Sequence, residues 1–371
     1  MSAEKIKIVH VVPLLDHGGI ETTRLLMGKY GQVSDTEVLF VALGRGGEVA
    51  KALQGLGQRV LCLGSSSTRP GWKLVRRLKK LFEEERPEVV HACAPDANFH
   101  SVLACQLAGV PVCLCEEPGM GERSWLAHKI LGAVYAMSDG VVCISNAVQK
   151  HVRNSSWPWR FRTEVVYQPC DAEKFFIHLD GAVEKKAGRF VVMTHCRLVR
   201  EKNLEYLIEA AAPFLRRHQE AELWIAGEGP LKRSLESQVG RACIESQVKF
   251  LGHQSNPQPY LAEADCYVIT SSSEGLSVSL IEAMACGLPA IATRVGGIPE
   301  VLPEQHHGDW LVSLGNASEL EKKIEMAFLM GGSERKKVGE INCKRASEVF
   351  SPVIYVRRLM ELYKKILREN I

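Results

Sequence analysis

Short apolar runs rich in β-branched residues alternate with longer amphipathic stretches, and this alternation constrains the fold more than any other feature. Ile6–Val12, Glu37–Ala42, Arg59–Leu63, Glu88–Cys93, Val110–Cys115, Gly140–Ser145 and Glu164–Tyr167 have the length and residue types of strands. Helical spacing fills the intervals, as in Glu21–Tyr30 and Trp72–Glu85. Parallel strands need crossover connections, so this order predicts parallel sheets wrapped by helices. The runs are continuously apolar, which fits sheets covered on both faces. A second cycle follows through Phe190–His195, Glu222–Ala226, Val248–Gly252, Cys266–Thr270, Ala290–Thr293 and Trp310–Val312. Asp171–Gly188 carries no clear strand and turns polar at its end, so the interdomain linker is expected there. A chain of 371 residues exceeds what one core usually serves. The expected domains are 1–172 and 188–350.

Charge and cysteine usage narrow the function class. Lys and Arg number 46 against 43 acidic residues, an excess of three that falls before Asp180. That balance speaks against nucleic acid as a partner. The longest apolar runs, such as Phe40–Leu43, are far too short to span a bilayer. Met1–Leu15 resembles a leader only faintly, since Lys7 and His10 interrupt it, and it reads better as a first strand. The 12 cysteines show no CxxC spacing, so neither a zinc site nor a redox motif is expected. Reduced thiols in a cytoplasmic enzyme are the reading.

Open parallel sheets bind ligands at the carboxyl ends of their strands, so the chemistry should lie in loops that follow strands. One such loop runs from Ser271 to Pro289 and opens a helix containing Glu274 and Glu282, eight positions apart. Helical rise then separates the two acids by about 12 Å. That suits two ends of one long ligand and is too far for a glycosidase carboxylate pair, although an acidic cap plus an exposed helical Glu has the same spacing. A second loop, His195–Leu204, offers Arg197 and Lys202 to a diphosphate, or forms only a solvated basic turn. Gly227-Glu228-Gly229-Pro230 permits close backbone approach to a ligand, as any glycine turn does. His17-Gly18-Gly19-Ile20-Glu21 follows the first strand but lacks the full dinucleotide fingerprint.

In their joint order these segments resemble the donor domain of the family-4 retaining glycosyltransferases of GT-B fold, of the bacterial polysaccharide and lipid-linked glycan type. The most specific part is Glu274…Glu282 with its continuation Glu282-Ala283-Met284-Ala285-Cys286-Gly287-Leu288-Pro289. Phe250-Leu251-Gly252 and Gly296–Glu300 also fit, as do Gly18–Glu21 and Pro87–His91 at the front. The resemblance implies an α/β fold of two doubly wound, Rossmann-like domains facing a central cleft. It further implies that the C-terminal helix, within 351–371, crosses back to the first domain. The donor would be a UDP-sugar, or next a GDP-sugar, and the acceptor a glycan or lipid-linked glycan hydroxyl. Arg197 and Lys202 would bind the departing diphosphate. Glu282 would hold the ribose, and Glu274 with the backbone of Gly275 and Leu276 the transferred sugar. Gly229 and Ser277 would join the donor contacts, Leu251 and His253 would border the base, and Gly18 and Gly19 would approach the diphosphate from the first domain. No Asp-x-Asp occurs, so no metal or other cofactor is expected.

The chain departs from the family where many members carry a His after the fifth strand; Glu117 stands there. His91, Asp96, Asn98 and Glu117 are the acceptor-facing candidates, with a buried hydrogen-bonded role as the other reading of His91. Basic residues interleave with apolar ones in Arg69–Leu81 and in Trp157–Arg162. Either segment can dock on an anionic membrane at its inner face, or be an ordinary surface stretch. A nucleotide-sugar epimerase of similar fold and a non-catalytic sugar-nucleotide-binding protein are the alternatives to a transferase.

Overall fold

The computed structural model describes residues 5–16, 18–31, 36–66, 71–121, 123–175 and 188–370. Contacts divide the chain into one unit of Met1–Pro169 with Pro352–Ile371 and a second of Cys170–Ser351.

In the first unit the valine-rich runs form β1 (Ile6–Val12), β2 (Thr36–Ala42), β3 (Arg59–Cys62), β4 (Val89–Cys93), β5 (Val112–Glu117), β6 (Gly140–Cys143) and β7 (Thr163–Val165). They pair in parallel in the order β3-β2-β1-β4-β5-β6-β7. The second unit holds β8 (Phe190–His195), β9 (Ala221–Ala226), β10 (Val248–Gly252), β11 (Cys266–Ile269), β12 (Ala290–Thr293) and β13 (Leu311–Val312). These too are parallel, ordered β10-β9-β8-β11-β12-β13. Both sheets are therefore doubly wound and Rossmann-like. The winding reverses between β1 and β4 in one unit and between β8 and β11 in the other. Loops part in opposite directions at these points and leave a crevice beyond the strand ends.

The last helix, Pro352–Asn370, belongs to the first unit. Tyr355, Val356, Leu359, Leu362, Tyr363 and Ile366 recur three and four residues apart, and all six join the core over β1, β4 and β5. Each large apolar side chain so buried contributes about 1.5–3 kcal/mol. Under this helix the buried Arg24 guanidinium pairs with Glu116 and lies 3.2 Å from the Tyr355 hydroxyl.

One expectation needs correction, and one of two open readings is favoured. Part of the expected linker, Ala172–Phe175, is a short helix of the second unit: Phe175 is buried, and its carbonyl accepts from Cys286 Sγ at 3.3 Å. The rest of that linker up to Ala187 lies outside the described residues. The apolar stripe of Trp72–Glu85 faces the core through Leu74, Val75, Leu78 and Leu81. On its outer face Lys79 and Lys80 pair with Glu83 and Glu84 one turn on, so the helix is an ordinary amphipathic one; Arg69 lies outside the described residues. All 12 cysteines are free, and among the described residues no helix is long and apolar enough to cross a membrane.

Candidate functional site

Strands β8 and β11 are neighbours, with Val192 beside Cys266 and Met193 beside Tyr267, so the loops that follow them meet. Thr270 Oγ1 lies 3.1 Å from the carbonyls of Lys202 and Asn203, and Ser272 N donates to the Glu201 carbonyl at 2.8 Å. The loop after β12 joins them, since Gly297 N donates to the Glu274 carbonyl at 3.0 Å. Held in this way, Lys202, at the end of a single 3-10 turn, forms an ion pair with Glu274. Ser271 Oγ donates to the same Glu274 oxygen at 2.9 Å. Both partners are mostly shielded from water, which strengthens the pair.

Glu282 sits in the last turn of the helix Val278–Ala285. That helix begins only after Glu274, so the spacing estimate built on continuous helix from Glu274 does not hold. Ser277 is its buried N-cap and accepts from Leu280 N at 3.3 Å. The hydroxyl expected on the donor is thus used inside the fold, and the Leu276 side chain beside it is buried. Glu282 Oε2 lies 2.7 Å from His195 Nε2 at the end of β8. A carboxylate there favours the tautomer with hydrogen on Nε2, which leaves Nδ1 as an acceptor. Nδ1 is buried and, among the described residues, has no hydrogen-bond partner.

Beside these two pairs opens a pocket of about 250 Å³ lined by Arg197, Cys196 and His195 after β8, by Gly227 and Glu228 after β9, and by His253 nearby. Arg197 is exposed, and among the described residues it makes no ion pair. The glycines act on the protein itself. A Cβ on Gly227, at φ 139°, would stand 1.9 Å from the Cys196 carbonyl oxygen, and one on Gly229 would stand 2.4 Å from that of Leu198. The close approach expected of Gly229 is therefore to the loop that carries Arg197. Leu251 does not line the pocket; its carbonyl accepts from Gln254 Nε2 at 2.6 Å.

In the first unit, Gly18 at φ 148° caps the helix Gly19–Tyr30, and a Cβ on Gly19 would meet no atom within 4 Å. Three acceptor candidates are turned inward: Asn98 and Glu117 are corrected, and His91 takes the buried, hydrogen-bonded role that was its other reading. His91 Nδ1 lies 2.5 Å from the Tyr363 hydroxyl, and Nε2 is 3.3 Å from Glu116 Oε2 without hydrogen-bond alignment. Asn98 bonds the backbone of Glu116 through both ends of its amide. Glu117 is buried, clamped by Arg123 at 3.0 and 2.9 Å, and accepts from the Tyr135 hydroxyl at 2.8 Å. Asp96 alone of the four stays half-exposed, in the first turn after β4. Sequence reasoning missed His195 as a site residue, although its place at the end of β8 beside Arg197 was a signal. It also missed Arg123, which no motif marks.

The family described as Glycosyl transferases group 1 matches residues 189–328, and Glycosyltransferase Family 4 matches residues 17–174. An uncharacterized glycosyltransferase of Methanocaldococcus jannaschii is 34% identical over 281 residues, covering 68% of each protein. The lipopolysaccharide core biosynthesis glycosyltransferase LpsE of Rhizobium meliloti is 25% identical over 256 residues, 67% of this chain and 68% of that one. Among solved structures, Anabaena HepE in complex with UDP and glucose superposes with a TM-score of 0.81 at 20% identity, covering 97% of this chain and 100% of that one.

Proposed function

Because the chain belongs to the family-4 type of glycosyltransferases and has their GT-B architecture, we propose that it moves a sugar from a nucleotide-diphosphate donor, with retention at the anomeric carbon and without a metal ion. One observation carries this reading. Two cations and one carboxylate (Arg197, Lys202 and Glu274) from loops at the switch point of the second sheet, and a second carboxylate (Glu282) from the helix that follows, lie beside a pocket.

Each residue has a chemical task in that scheme. Arg197 and Lys202 stabilise the charge that gathers on the diphosphate as its bond to the anomeric carbon breaks. Glu274, beside Lys202, accepts from hydroxyls of the transferred sugar. Glu282, steadied by His195, accepts from the ribose hydroxyls. The acceptor hydroxyl attacks from the face the diphosphate leaves, and its proton passes to the departing phosphate oxygen. The products are a glycoside and a nucleoside diphosphate, and no side-chain base is consumed. Positioning and charge stabilisation supply the rate.

A UDP-sugar is favoured as donor, in keeping with HepE, solved with UDP and glucose. LpsE, a lipopolysaccharide core enzyme, favours a glycan or lipid-linked acceptor in cell-surface synthesis, and a lipid-linked acceptor would bring the enzyme to the inner face of a membrane. Asp96 is the remaining acceptor candidate. Incubation with UDP- and GDP-sugar panels, with and without chelator, tests the reading. Slow release of UDP and free sugar, unchanged by chelator, is expected. An epimerised donor, binding without turnover, or strict dependence on a divalent ion overturns it.

A further inference from the structure

The helix Trp125–Ala136 buries Leu131, Val134 and Tyr135 but turns a second apolar stripe outward. Leu126, Ile130 and, one residue past its end, Met137 are exposed at helical spacing. Trp125 at its start is 73% exposed, and Trp157 and Trp159, just after the helix Asn146–Ser155, are 71% and 46% exposed. The two segments make one surface. Lys129 Nζ lies 5.8 Å from the Trp125 ring centre and 5.5 Å from that of Trp157. A Cβ on Gly132 would stand 2.7 Å from Trp159 Cδ1. Single exposed apolar residues need no explanation, whereas three clustered indoles with an aliphatic stripe mark a contact surface.

Charge identifies the partner. Between Ser124 and Arg160 the cations are Lys129, Lys150, Arg153 and Arg160, and the one acid is Asp139. Asp139 is occupied within the fold, accepting from Cys113 N at 2.7 Å and Asn370 Nδ2 at 2.8 Å. Lys150, Arg153 and Arg160 are exposed and make no ion pair among the described residues. A two-fold dimer through this face would bring two basic surfaces together. A bilayer bearing anionic lipid satisfies both features: indoles settle at headgroup depth, and the cations lie over phosphates.

We propose that this face of the first unit docks on an anionic phospholipid bilayer through Trp125, Trp157 and Trp159, with Lys129 and Arg160 over the headgroups. The inference rests on the membrane-face location proposed above and deepens it by naming the docking surface; flotation reads that surface apart from sugar transfer.

Flotation of the full chain with phosphatidylcholine vesicles, with or without about one-third phosphatidylglycerol, tests it. Binding at least about tenfold stronger to the anionic vesicles is expected, weakened by salt and accompanied by a blue shift of tryptophan fluorescence. The double variant Trp125→Ala/Trp157→Ala loses about tenfold or more, and Lys129→Glu/Arg160→Glu weakens the salt-sensitive part. Trp72→Ala, at an exposed tryptophan on a different helix, leaves binding unchanged. Thermal unfolding of each variant checks the fold, and the charge reversals keep the test decisive if the tryptophan variant misfolds. Equal recovery with both vesicles, an equal loss from Trp72→Ala, or a solution dimer that Trp125→Ala/Trp157→Ala dissociates overturns the proposal.

Discussion

Lys202 and Glu274 neutralise each other, and that mutual occupation decides what replacing either one does. A diphosphate has to draw the ammonium partly away from the carboxylate. Glu274→Gln frees Lys202, so UDP is expected to bind several-fold tighter while turnover falls, because the amide no longer accepts as a carboxylate does. Titration calorimetry with UDP beside initial rates separates the two effects. Lys202→Ala removes charge stabilisation instead and is expected to cut turnover by about 10²–10³. The His195–Glu282 pair behaves differently. Glu282→Ala takes away the ribose acceptor, and donor KM is expected to rise about 10- to 100-fold. His195→Ala only lets that carboxylate swing, so a smaller KM rise with nearly unchanged kcat is expected. A His195→Ala variant with native KM, or one that loses kcat instead, would remove His195 from a positioning role. Residue type and spacing single out Glu274, Glu282, Arg197 and Lys202, and only the family resemblance gives them a donor role. The pairing of Glu282 with His195 could not be read in this way, because it depends on β8 lying next to β11.

The elements carry the glycine chemistry. In sequence Gly227 and Gly229 mark a turn and nothing more. In the fold they let the loop after β9 press against the loop after β8, where Leu198 N donates to the Glu228 carbonyl at 2.9 Å. Gly227→Ala forces a side chain onto φ 139° and into the Cys196 carbonyl. A loss of about 1–3 kcal/mol is expected, together with a raised donor KM as Arg197 shifts. Chemical denaturation and rate measurements read the two separately; a variant of native stability and native KM would show that the loops have slack. Strand placement was legible because each apolar run is short, continuous and bounded, and most ends fall within two residues of the expected ones. Which apolar stripe a helix buries was not legible. Trp72–Glu85 reads as amphipathic and Trp125–Ala136 as apolar nearly all round, yet only contacts reveal that the second exposes Leu126 and Ile130.

At the scale of the whole molecule, the returning helix Pro352–Asn370 is held by polar groups as well as by its apolar face. Periodicity announces that helix, but only resemblance assigned it to the first domain, since its partners Arg24, His91 and Glu116 lie far off in sequence. Those partners make the first unit sensitive to acid. Burial, modified by Glu116 and Arg24, lowers the His91 imidazole to about 4, and burial with Arg24 and His91 beside it also holds His10 well below its ordinary value. Burial alone would raise Glu116, but Arg24 and His91 outweigh it and hold the carboxyl below the usual range. An unfolded chain protonates His91 near pH 6.5, where the folded unit refuses the proton. Stability is therefore complete above about pH 6.5 and falls as the pH drops toward 4, with Glu116 adding loss below its unfolded value. The His91 shift, from 6.5 to about 4, is worth about 3 kcal/mol. Scanning calorimetry from pH 7.5 to 4.5 should show an early-melting transition whose midpoint falls steeply with acid. His91→Gln, which keeps a polar partner for Tyr363 but does not titrate, should flatten part of that slope. If the slope persists unchanged, the acid sensitivity resides in other groups and His91 is only a packing residue beneath the last helix.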